Sequence, residues 1–163
     1  MKRILLISAS LIGALAAQTA LAQVASERTV GLALANEMVA AAVESCTASG
    51  YNVVATVVDR SGYIKATQRA DNARPHAIDI AARKAHTAAM LGYETSRLAE
   101  NIQKGVTPAS ILNTPGFTSL LGGFPIKAGN EVIGGIGVSG APGGHLDAAC
   151  VEAAMKRVES KLK

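Results

Sequence analysis

The stretch from Leu121 to Asp147, LGGFPIKAGNEVIGGIGVSGAPGGHLD, holds more than half of the chain's sixteen glycines. Glycine this dense weakens regular structure, so it belongs where the backbone turns or where another group comes very close. Within the stretch, Gly135-Ile136-Gly137-Val138-Ser139-Gly140 matches the dinucleotide-binding fingerprint letter by letter. That motif needs a strand, a tight glycine turn, then a helix whose N-terminus holds pyrophosphate. Here Gly129-Asn130 is a hairpin signal, and Glu131 to Ser139 reads as the strand leaving it. The glycines therefore lie inside a strand, which argues against NAD. They thin that strand for another backbone, a subunit or a flat ligand.

The rest of the chain supplies partners for this strand. Ser26 can N-cap a helix that runs to about Ser49, with Val30, Leu34, Met38, Ala41 and Ala42 on one side and Gly50 ending it. Two β-rich runs then flank Asp59-Arg60-Ser61-Gly62, which predicts a hairpin. Pro75 sits where the first turn of a helix tolerates proline, and that helix continues to Gly92. A shorter helix starts at Thr95 or Ser96 and ends at Gly105. Phe117–Leu121, Phe124–Ala128 and Glu131–Ser139 read as strands, and a last helix spans roughly Leu146 to Leu162.

The order α-β-β-α-α-β-β-β-α has tight turns between neighbouring strands, which forces antiparallel pairing. An antiparallel sheet of about five strands with helices packed on its faces is an α+β domain.

Residues 1–22 read as a signal peptide. Lys2 and Arg3 precede an apolar stretch from Ile4 to Ala17, and Ala20-Leu21-Ala22 is a small-x-small cleavage pattern, so cleavage is expected before Gln23. The apolar run is short of the roughly 20 residues a membrane span needs. The expectation is a periplasmic or secreted single domain over 23–163 with no membrane segment after cleavage.

Loss of Lys2 and Arg3 lowers the formal charge of +4 to +2, and there are three Tyr, two Phe and no Trp. A nucleic-acid surface needs a basic stripe or stacking aromatics, and neither is visible, so nucleic-acid binding is not expected. Cys46 and Cys150 are the only cysteines. In an oxidising compartment they can bridge, closing a loop of about 105 residues with roughly 4–5 kcal/mol of chain-entropy gain, or remain two buried thiols.

On the Pro75–Leu91 helix, Ile78, Ala81, Ala82, Ala85, Ala88 and Ala89 form a face of mostly small residues. His76, Asp79, Arg83 and His86 fall opposite, within a wedge of roughly 80°, flanked by Lys84 and Thr87. The wedge is either a solvated surface or a pocket or interface holding two imidazoles and a guanidinium. His76 and His86 lie about 15 Å apart along the helix and cannot share a metal, but either can ligate a haem iron from one side. Arg83 or Lys84 can pair with a propionate. Asp147 reads as a first-turn acid serving the helix dipole. No H-E-x-x-H, C-x-x-C or phosphate loop is present, and Ser139 lacks the second glycine of a nucleophile elbow.

Five pieces in order then resemble one family. They are Val57–Gly62 (VVDRSG), Arg69-Ala70-Asp71, Ala82–Ala88 (ARKAHTA), Leu121–Ile126 (LGGFPI) and Val132–Gly140 (VIGGIGVSG), with Asp147 closing the set. The chain resembles the GlcG/HbpS family of haem-binding or haem-degrading domains over nearly all of residues 23–163. The resemblance implies a profilin-like fold, homo-oligomers, haem b as the cofactor, and a role in iron handling or redox sensing with weak haem-degrading activity.

The resemblance transfers no axial residue; from the helix face itself, His76 is the first candidate for axial contact and His86 the second, with Arg83 and Lys84 for the propionates. Other members implied by the resemblance sit beside glycolate, hydroxy-acid or alcohol oxidation. On that alternative, Asp59, Arg69, Asp71 and Lys84 gather as a polar site of a periplasmic enzyme or accessory protein. A third reading is a purely structural oligomeric module.

Overall fold

The computed structural model describes residues 26–163. The expected leader and its cleavage site lie outside the described residues. The fold is α+β. A four-stranded antiparallel sheet has the order β2-β1-β4-β3, made of β1 (Val54–Asp59), β2 (Ile64–Arg69), β3 (Gly123–Ala128) and β4 (Glu131–Ser139). Helices α1 (Leu32–Ala48) and α4 (Gly144–Val158) pack together on one face. Helix α2 (Ala77–Leu91) crosses the other, and the short α3 (Thr95–Gln103) follows it.

The main core lies under α1 and α4, where Met38, Val39, Val57, Ile136, Val138 and Val151 are fully enclosed. The expected bridge is present: Cys46 in α1 and Cys150 in α4 are joined with their Cα atoms 5.5 Å apart, inside that core. Among the described residues no helix is long and apolar enough to cross a membrane.

The glycine-thinned strand does what its composition requires. On the α2 side, a Cβ at Gly135 would run into the Ala85 carbonyl and one at Gly137 into the Ala81 carbonyl. The helix therefore rests on bare β4 backbone, with Ala81, Ala85 and Ala88 as its small contact residues. A close backbone approach, not a pyrophosphate, accounts for these glycines.

Three expectations need correction. The sheet has four strands, because Phe117–Leu121 is not one. Its backbone is captured by α2 side chains instead: Arg83 Nη2 donates to the Phe117 carbonyl at 2.6 Å, and the Thr118 N–H donates to Thr87 Oγ1 at 2.9 Å.

Helix α1 starts at Leu32, capped by Gly31, rather than after Ser26. The intervening residues are extended, and the Val30 N–H donates to the Ile133 carbonyl at 2.8 Å. On α2, Ile78 is 43% exposed, whereas Lys84 is buried on the face given to alanines.

Candidate functional site

The sheet's β4 end, the start of α2 and the start of α4 converge on one open cavity of about 650 Å³. Its position follows from the fold. Strand β4 ends at Ser139, Gly140 turns the chain at φ +133°, and the Gly143-Gly144 pair starts α4 back across the sheet. From α2 and the turn before it come Arg74, His76 and Ile80, and from the loop before β3 come Leu120 and Leu121. His145 enters from α4.

Lys84 and Asp147 also line this cavity, and they form its most unusual feature. Lys84 Nζ donates to Asp147 Oδ2 and to the Val138 carbonyl, each at 2.8 Å. Asp147 Oδ1 accepts the Ala141 N–H at 3.0 Å, which ties down the turn after β4. The two side chains are only 3% and 5% exposed. Burial holds the Lys84 ammonium below its ordinary pKa against the opposing pull of Asp147, and it holds the Asp147 carboxyl above its own. Gly122 packs against the pair: a Cβ there would lie 2.8 Å from Asp147 Cβ and 3.2 Å from Lys84 Nζ.

This pair escapes the sequence reading, although a signal for it exists. Lys84 stands at helical spacing among Ala81, Ala85 and Ala88, and Asp147 among Cys150, Val151, Ala154 and Val158. Each is the lone charge on a buried stripe, so each demands a counter-charge from a neighbouring element. Asp147 is thus a buried partner, not merely a dipole-serving acid. The Lys84 ammonium is held by Asp147 and Val138 where the cavity reaches the pair.

The other expected residues separate into groups. His76 is exposed at the cavity, whereas His86 lies further along α2. His86 Nδ1 is 3.2 Å from the Gly62 carbonyl oxygen, and its ring stands edge-on to Phe117 with centroids 5.8 Å apart. Arg83 is half-buried on the Phe117 carbonyl, with Asp79 at 3.9 Å. The wedge read as a solvated face or a pocket is in part neither: Arg83, His86 and Thr87 hold the loop before β3.

Asp59 Oδ1 accepts the N–H groups of Ser61 and Tyr63 and so shapes the β1–β2 turn. Arg69 pairs with Val54 at the far end of the same strands, roughly 17 Å away, and exposed Asp71 follows it. Asp59, Arg69 and Asp71 therefore do not gather into one polar site.

Comparisons with known proteins agree with this architecture. The family model described as "Haem degrading protein HbpS-like" matches residues 30–156. Protein GlcG of Escherichia coli (strain K12) is 35% identical over 106 residues, covering 65% of this chain and 78% of GlcG. The crystal structure of HbpS superposes with a TM-score of 0.79 at 34% identity, covering 83% of this chain and 94% of HbpS. The crystal structure of a PduOC:heme complex shares the fold, with a TM-score of 0.72 at 24% identity over 78% of this chain and 94% of that one. On the extent of the family match and the agreement in fold, the chain belongs to the HbpS-like family.

Proposed function

We propose that this protein is an exported binder of a haem-type ligand, a flat and largely apolar ring bearing carboxylates, held in the cavity at the β4 end of the sheet. The observation that carries the reading is that one cavity presents the imidazole of His76, the guanidinium of Arg74 and the apolar side chains of Ile80, Leu120 and Leu121. Leu120 and Leu121 are 51% and 38% exposed, an apolar surface that a ring would cover.

The donor set fits the group: an imidazole for iron, a cationic fork for a carboxylate, and aliphatic walls for the macrocycle. When bound, haem b would supply one-electron chemistry suited to iron handling or redox sensing. His76 would hold the iron and Arg74 a carboxylate, with His145 the other imidazole at the cavity.

Family membership supports the same reading, as does the likeness in fold to PduOC, a protein crystallised as a complex with heme. The Cys46–Cys150 bridge supports an oxidising compartment, in keeping with the N-terminal Lys2–Ala22 pattern. A homo-oligomer is part of the proposal, since Tyr63 in the β1–β2 turn and Ile64 at the start of edge strand β2 are 74% and 61% exposed.

Titrating the protein with haemin tests the ligand. A saturable, sharpened Soret band is expected, and no saturable change up to roughly tens of micromolar would sink it. Export is tested by N-terminal sequencing of protein from the periplasmic fraction or medium, where Gln23 is expected as the first residue.

A further inference from the structure

A lysine and an aspartate buried together in the floor of an open cavity call for an explanation beyond stability. An apolar pair of similar volume would hold α2 to α4 as well or better, because desolvating two charges offsets what their attraction returns. The Nζ of Lys84 has three N–H groups, and its protein acceptors are the Asp147 carboxylate and the Val138 carbonyl. Burial works against both charges, lowering the proton affinity of the amine and raising that of the acid. The two affinities are thereby drawn together across a 2.8 Å hydrogen bond. Proton transfer along that bond leaves a neutral amine beside a neutral carboxylic acid, which is a nucleophile beside its own proton donor. The cavity above them carries Arg74 together with His76 and His145, groups that attract a carboxylate.

We propose that Lys84 captures a small 2-oxo acid as a reversible imine, with Asp147 moving the protons. The Nζ lone pair attacks the carbonyl carbon, and the displaced C–O pair takes the Asp147 proton. Asp147 then removes a proton from the new ammonium nitrogen and delivers it to the hydroxyl, which departs as water while C=N forms. The products are a protonated imine beside an ionised Asp147 and one water molecule. Nothing is oxidised or reduced, so no further reactant is needed. This chemistry does not depend on haem. Its reacting groups are Lys84 and Asp147 in the floor of the cavity, whereas the haem reading rests on His76 and the walls; the two ligands share Arg74 and His76 for their carboxylate or iron.

The test is reductive trapping on the wild-type protein. Incubation with pyruvate and sodium cyanoborohydride, followed by peptide mapping, is expected to give one reduced adduct at Lys84. Acetone, which lacks the carboxylate, is expected to label it at least about tenfold more slowly. Asp147→Asn, checked for folding by its circular-dichroism melt, should slow labelling by about tenfold or more.

Absence of an adduct, or adducts spread over exposed lysines such as Lys104 with Lys84 unmodified, would overturn the proposal. Equal labelling by acetone would overturn the ligand class. The mapping needs no variant, so a Lys84 substitution that fails to fold does not weaken it. A haemin titration reads the other proposal separately.

Discussion

Lys84 and Asp147 are each other's only charged hydrogen-bond partner in the described fold, and each is nearly solvent-free. Removing one leaves the other buried and uncompensated. Lys84→Met is expected to cost about 3–5 kcal/mol in urea denaturation, whereas the double change Lys84→Met with Asp147→Leu should recover most of that loss. The pH dependence has a defined sign. A carboxyl pKa raised by folding contributes stability that is complete below the ordinary value near 3.8 and lost as pH rises through the folded value. An ammonium pKa lowered by folding contributes stability that is complete above the ordinary value near 10.5 and lost as pH falls through the folded value. Both losses are in force between the folded value of Asp147 and the folded value of Lys84. The stability of the double variant relative to wild type should therefore be greatest there and decline toward either extreme; a flat difference would contradict it. The histidines show how residue-scale reading succeeds and fails. Helical spacing separates His76 from His86 along α2, but it does not tell which one faces a cavity. That depends on the loop from Gly116 to Leu121, whose path is set by hydrogen bonds from Arg83 and Thr87.

At the scale of elements, periodicity and turn chemistry locate α2, α3, the β1–β2 hairpin, β3 and β4 closely, because each is bounded by glycine or proline with a local job. Gly62, Gly92 and Gly129 all have positive φ at such boundaries. The two misplacements share a cause. Residues 26–31 and 117–121 have acceptable local propensity, yet their backbone groups bond to β4 and to α2 side chains, partners far away in sequence. The buried stripes of α2 and α4 are legible only in part, because a lone charge within an alanine face looks like the edge of the polar side. The contact between α2 and β4 is directly testable. Gly137→Ala drives a methyl group into the Ala81 carbonyl and should cost about 1–3 kcal/mol or more in thermal or urea melts. Gly31→Ala meets nothing within 4 Å and should cost no more than about 1 kcal/mol. Equal effects would mean that close approach is not why β4 is thinned.

At the scale of the molecule, the disulfide and the cavity sit at different places in one sandwich. Cys46–Cys150 staples the two helices of the core face, and Asp147 stands one helical turn before Cys150. Intact mass after alkylation without reductant should show no modified cysteine; two alkylated cysteines would refute the bridge. Loss of the bridge should lower stability by about 2–5 kcal/mol while leaving the fold's topology in place. Fold class and family are legible in the sequence because they rest on the order and spacing of short motifs. The cavity is not, since it is assembled from α2, α4, the end of β4 and a loop that meet only in three dimensions. That cavity as a haem site with His76 at the iron is the central claim. Its most direct test is a side-by-side haemin titration of wild type, His76→Ala and His86→Ala, read at the Soret band. Binding at the cavity predicts a shifted or weakened band for His76→Ala and a wild-type band for His86→Ala; an unaltered His76→Ala spectrum with loss in His86→Ala would contradict it.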